Sequence, residues 1–402
     1  MYRCRLTKVV ASKGVSRNNS IRRVVAGSVF ATMACASLTL TACAGSDPGE
    51  AVPGGMGNAE PVPSKDQGNR QLPGTIHELA ADVTGGILAG DTAFLRTHDG
   101  VLVGNPADPE QHVHIDAACG DLGAGGDIAV LPCEDGIHVI SQGGTDAATI
   151  GQGKGYSSAV GLDDGRIIGH RVDSNRIDVY GDDGELAIDF TASRHGSQLV
   201  AVPYVPEAAG EHASTETMLA EINRPETSIH EIDLENSRSG NGLRAGLGVG
   251  PAVVNQQGVI AAADTKGNQL LIYTMTDVIR LHQATPTNPG PWALAWDESR
   301  NLIWVSSTED RTLTAFDISS GTAVLVATIP TVADAQALLM TEAGDLYSYS
   351  ASGGGVHQLL SDEIDTLITE QKAQAEADAE AKALREPVNR LPTGAGGTDE
   401  SE

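Results

Sequence analysis

Between Trp292 and Gly321 the chain reads WALAWDESRNLIWVSSTEDRTLTAFDISSG. An apolar run (WALAW) is followed by a polar turn, Asp297-Glu298-Ser299-Arg300-Asn301, and a second run (LIWVSS). A charged turn, Glu309-Asp310-Arg311, then leads to a third run ending at Asp317, and Ala323 to Ile329 continues the pattern. Runs of this length bounded by polar turns are strands, so the stretch is a meander. Four short strands in roughly forty residues are the size of one propeller blade.

The unit recurs. Strand-turn-strand segments stand at Thr92–Gly104, Asp127–Ile140, Arg166–Tyr180, Met218–Ile232, Val259–Tyr273, Leu302–Phe316 and Asp345–Leu359. The innermost strands are expected to begin near Gly86, Leu122, Ser157, Ser197, Gly250, Pro291 and Asp334, with a polar insertion, Pro206 to Thr215, in the longest interval. Seven units at this spacing predict an all-β, seven-bladed β-propeller over 76–360, with Ile76–Leu79 completing the last blade. PWALAWDESRNLIWVSS followed by TLTAFDISSG resembles the broad family of YncE-like and quinoprotein-like propellers. That resemblance implies a fold and no particular chemistry.

The flanks differ in texture. Arg17, Arg22 and Arg23 precede an apolar run, Val24 to Thr39, which free of acids matches a secretory signal. Leu40-Thr41-Ala42-Cys43 then resembles the lipobox of bacterial lipoproteins, which implies that residues 1–42 are removed and Cys43 is lipidated. Two acyl chains would hold the protein on the extracytoplasmic face of the cell membrane. From Ala44 to Thr75 the Gly, Pro, Ser, Asn and Glu content predicts a flexible linker. After Leu360 the period becomes helical: Asp362 is a capping residue, and Ile364, Leu367 and Ile368 form a short stripe. A helix is expected over 361–388, docked at its start, and an acidic disordered tail over 389–402.

Charge narrows the partners. The chain carries 26 basic and 53 acidic residues; seven of the basic ones lie in the first 42, leaving 19 against 53, a net charge of −34. Such a field repels phosphate backbones and excludes nucleic acid as a partner, while it attracts cations. Cys119 and Cys133 are left once Cys4, Cys35 and Cys43 are assigned to the signal and the anchor. In an oxidising compartment an even pair forms a disulfide. Two thiolate metal ligands are the competing reading.

Propeller topology gathers the loops between second and third strands, and those between blades, on one face. His98 and His170 fall in loops of the first kind, His195 in one of the second, and Cys119 and Cys133 on the same face. His112-Val113-His114-Ile115-Asp116 is expected to be the last strand of blade 1, with alternate side chains on one side. Imidazoles with one carboxylate suit a borderline-soft divalent ion such as zinc, so His98, His112, His114 and Asp116 are the first candidate ligands, with His170 and His195 as a second site or its completion. His-Glu-x-x-His, Gly-x-Ser-x-Gly and the phosphate-loop motif are absent from the sequence.

A narrower resemblance rests on Cys119-Gly-Asp-Leu, Gly-Asp-Ile-Ala-Val-Leu-Pro-Cys133-Glu-Asp-Gly, and Arg194-His195-Gly196 ahead of LVAVP. These segments are similar to AztD-type zinc metallochaperones, although the His-rich flexible stretch of such proteins is lacking. The resemblance implies an extracytoplasmic propeller that binds zinc and hands it to the solute-binding protein of an ABC-type uptake system. The other expectations carried forward are a non-catalytic envelope scaffold or ligand-binding propeller, and a metal-dependent hydrolase.

Overall fold

The computed structural model describes residues 55–68, 70–144, 148–172, 174–192, 196–204, 216–276 and 278–385. Seven four-stranded antiparallel sheets form the blades. Six use consecutive strands, over 85–114, 123–150, 156–191, 198–244, 249–286 and 291–330. The seventh takes three strands from 335–359 and its outermost from Thr75–His77. Every blade begins within two residues of the position expected from the sequence.

The burial gradient across a blade explains why its strands read as they do. In blade 6 the second strand, Leu302–Ser307, is buried at every position, whereas the outermost, Val324–Pro330, alternates and starts exposed. Inner strands are covered on both faces by neighbouring blades, so they tolerate continuous apolar runs. Tight turns complete the meander: Asn301 and Arg311 take positive φ of 53° and 52°, a region Asn tolerates better than most residues.

The ring closes through Thr75, Ile76 and His77, which pair with Gln358, His357 and Val356. Gly355, at φ 72°, lies directly against this joint; a Cβ there would sit 2.2 Å from the His77 carbonyl oxygen. Gly355→Ala is therefore expected to lower stability by about 1–3 kcal/mol, read as a shift of the urea midpoint.

His357 ties the same joint together. Its Nε2–H donates to the Pro73 carbonyl at 2.6 Å, and its Nδ1 accepts from the Thr331 hydroxyl at 2.9 Å. The Thr331 bond needs the neutral ring, and burial, outweighing the Pro73 carbonyl that favours protonation, holds its pKa below the usual histidine value. A folded pKa below the unfolded one means the unfolded chain binds more protons, so stability is present above about pH 6.5 and is lost as pH falls below it. The melting temperature is expected to drop between pH 7 and pH 5, and to drop less in His357→Gln.

The helix Ser361–Arg385 covers an edge of the sheet. Ile364 and Ile368 enter the core cluster of Trp304, Leu346 and Leu359. Gln371 accepts from the Thr328 amide at 2.9 Å and donates to its carbonyl at 3.0 Å, replacing a neighbouring strand on the outer edge of blade 6. Arg300 fixes the first turn through Asp365 and the Ser361 carbonyl, each at 2.7 Å.

One expectation is corrected at the N-terminal side. The linker read over 44–75 is docked over part of its length, from Gly57 to Gln67. Gly57 and Asn58 donate to the carbonyls of Leu247 and Arg224, Lys65 donates to that of Glu309, and Ser64 exchanges hydrogen bonds with Asp334. Ala59 is buried against Trp292. The partners are loop groups of blades 4 to 7, which composition of the segment itself cannot reveal. Cys43 and residues 389–402 lie outside the described residues.

Candidate metal centre

The hairpin formed by Thr92–Thr97 and Gly100–Asn105 places Asp99 at its tip, and the outermost strand, Asp108–His114, runs beside it. Register fixes the neighbours: Gly100 pairs with His114 and Leu102 with His112. Only glycine fits at 100, where φ is 149° and a Cβ would lie 2.0 Å from the Val113 carbonyl. This close approach brings Asp99 up to the two imidazoles.

The three side chains converge. His112 Nε2 lies 3.4 Å from Asp99 Oδ1, and His114 Nδ1 lies 3.5 Å from Asp99 Oδ2. The imidazole centroids are 3.9 Å apart, with the rings tilted by 43°. Tetrahedral zinc with bonds near 2.0–2.1 Å would hold its donors about 3.3 Å apart; each histidine nitrogen stands at about that distance from one Asp99 oxygen, and the three donors lie within 4.8 Å of one another. His112 Nε2 is buried and makes no hydrogen bond among the described residues, Asp99 Oδ1 lying 3.4 Å from it. Thr97 Oγ1 donates to Asp99 at 3.0 Å, and this bond, with His112 and His114 nearby, holds the Asp99 carboxyl below the usual carboxylate range. Asp99 is thus an anion at neutral pH, as a metal ligand must be.

The other predicted ligands do not join this group. His98 and Asp116 are exposed and belong to neither of the two candidate donor clusters among the described residues. The strand ends at His114, and the carboxylate comes from Asp99 in the facing hairpin. His170 is fully buried: Nδ1 contacts Glu221 Oε1, and Nε2 donates to the Ser174 carbonyl at 3.2 Å, so both nitrogens are engaged. His195 lies outside the described residues. Cys119 and Cys133 are bonded, with sulfurs 2.00 Å apart. That bond leaves no thiolate for the second cluster, Cys133, Asp135 and His138, whose remaining contact is His138 Nε2 to Asp135 Oδ1 at 3.0 Å.

Two features escape sequence reasoning. The first is the central channel, about 430 Å³, lined by the innermost strands of the blades. At its mouth Arg224 pairs with Asp121, and its guanidinium lies 5.4 Å from the Trp292 ring centroid. The second is a buried network in blade 3. Asp178 receives Arg171, Lys154 and the Tyr156 hydroxyl, and the hydroxyls of Tyr156 and Tyr180 meet at 2.5 Å. Burial first, and then Tyr180 and Asp178, push the Tyr156 hydroxyl far above its usual pKa.

The architecture defines the class: a seven-bladed β-propeller. The WD40 β-propeller domain of Doa1 is similar at 15% identity and a TM-score of 0.52, over 72% of this chain and 96% of that one. Kuenenia stuttgartiensis hydrazine synthase is similar at 13% identity and a TM-score of 0.54, over 72% of this chain and 99% of that one. At these identities the likeness is one of fold alone. No protein-family profile and no curated protein matches the sequence.

Proposed function

We propose that this propeller is a binding protein that captures a borderline divalent cation, zinc being the best fit, at Asp99, His112 and His114 and passes it on. The observation that carries this reading is the spacing of the three donors, one of them a buried His112 nitrogen that makes no hydrogen bond among the described residues. Three protein ligands leave a fourth position open, and an open position on an exposed rim favours exchange over permanent retention. Lipid anchoring through Cys43 at the extracytoplasmic face, and delivery to the solute-binding protein of an ABC-type zinc uptake system, belong to the same proposal. The acidic surface supports it by raising the local cation concentration.

Chelator competition with the purified chain tests the site. One zinc per chain with Kd below about 1 μM, near −8 kcal/mol, is expected. The triple variant Asp99→Ala/His112→Ala/His114→Ala should bind at least about a hundredfold more weakly, roughly 2.7 kcal/mol. His98→Ala should match the parent. Undiminished binding in the triple variant would refute the assignment, and no zinc binding at all would leave the non-catalytic scaffold or ligand-binding reading.

A further inference from the structure

The second donor cluster, Cys133, Asp135 and His138, lies in blade 2 and repeats the hairpin frame of the metal centre. Thr97 pairs with Gly100 across a His98-Asp99 tip, and Cys133 pairs with Gly136 across a Glu134-Asp135 tip. Both glycines take the same unusual backbone, with φ of 149° and 154°. Leu131 pairs with His138, so alternation sets His138 and Cys133 on one side of the hairpin. One donor atom from each of the three residues lies within 4.8 Å of the other two.

The disulfide to Cys119 keeps this cluster from a metal, because the ligand form of cysteine is the thiolate. The two segments it joins are also held by their backbones. Gly120 donates to the Pro132 carbonyl at 2.8 Å and Glu134 to that of Ala118 at 3.0 Å, one bond on either side of the cysteine pair. Cys133 is packed in the core cluster of Ile115, Leu122 and Leu131, whereas Cys119 and His138 are half-buried and Asp135 is exposed. Reduction thus frees the sulfurs and leaves the frame in place.

We propose that reduction of the Cys119–Cys133 disulfide by a dithiol opens a second metal site, in which the two cysteine thiolates, Asp135 and His138 hold a divalent cation such as zinc. One thiolate of the reductant attacks the half-exposed Cys119 sulfur; the S–S bond breaks and its electron pair leaves on Cys133. The reductant's second thiolate then closes on its own first sulfur, releasing Cys119 and a cyclic disulfide, so two electrons have passed to the protein. The cation displaces any proton left on either thiol. On one zinc, sulfurs with bonds near 2.3 Å stand about 3.8 Å apart, within reach of a turn of the Cys119 side chain. The site differs from Asp99, His112 and His114 in carrying sulfur.

Cobalt(II) reads that difference, because sulfur ligands give it a near-ultraviolet charge-transfer band that nitrogen and oxygen ligands do not. The full chain is titrated with cobalt before and after treatment with a trialkylphosphine, which reduces the disulfide, takes its oxygen from water and carries no competing thiol. The reduced parent is expected to show the band and to bind one more cobalt than the oxidised parent. The band should persist in Asp99→Ala/His112→Ala/His114→Ala, which separates this site from the first. It should be absent from Cys119→Ser/Cys133→Ser, and His138→Ala should bind this cobalt at least about ten-fold more weakly. No band after both thiols are released, a band retained in Cys119→Ser/Cys133→Ser or unchanged in Asp135→Ala/His138→Ala, or a reduced parent that loses its β-sheet circular dichroism would each overturn the proposal.

Discussion

Glu221→Ala is expected to lower the free energy of unfolding by about 3–5 kcal/mol, measured by urea titration at neutral pH. Glu221 in blade 4 and His170 in blade 3 are both fully buried, so their contact ties two blades at a point shielded from bulk solvent. Removing the carboxylate leaves an imidazole nitrogen buried without its partner. Gly196 packs against both groups, a Cβ there coming within 2.4 Å of Glu221 and 2.6 Å of His170, so little room exists for water to replace the lost oxygen. The double variant His170→Leu/Glu221→Leu is expected to lose less than the single one, because an apolar pair leaves no fully buried side chain unmet and frees only the part-buried Ser174 carbonyl. A double variant at least as unstable as Glu221→Ala would show that packing, not the polar contact, dominates.

Asp178→Ala should cost a similar amount, about 3–5 kcal/mol, for a different reason. The carboxylate is fully buried and faces two cations, Arg171 at 2.6 Å and Lys154 at 3.1 Å, as well as the Tyr156 hydroxyl at 2.8 Å. Without it the two cations repel each other and a buried hydroxyl loses its acceptor. Burial alone would raise the Asp178 pKa, but Arg171, Tyr156 and Lys154 together outweigh it and bring the net value below the usual one. A lowered folded pKa contributes stability above the unfolded value near 3.9, and that contribution is lost as pH falls through the folded pKa. The gap between parent and Asp178→Ala should therefore narrow below about pH 4.

What the sequence revealed follows from how far apart the partners lie. Strand and turn are local properties, so LIWVSS and the Glu309-Asp310-Arg311 turn announced a blade without knowledge of the rest. Period-two alternation likewise placed His112 and His114 side by side. The same alternation points to Asp116 for the carboxylate, but the strand stops at His114 and the chain departs. Counting the hairpin back from Gly100, opposite His114, would have pointed to Asp99. His170 reads as available in the sequence because its partner Glu221 is 51 residues away and in another blade. Arg224 and Asp121 are 103 residues apart, so the channel mouth had no local signature.

The closing strand has a consequence in time. Thr75 pairs with Gln358, so an early segment of the chain waits for one of the last before its edge is covered. At about 5–20 residues per second, ribosomal synthesis alone separates the two by roughly 15–60 s. Six blades can form by local pairing during that interval, whereas the seventh cannot begin to close. A chain halted before Val356 would therefore hold most of its strands and lack a ring, and the appearance of the Thr75–Gln358 joint would report completed rather than initiated folding.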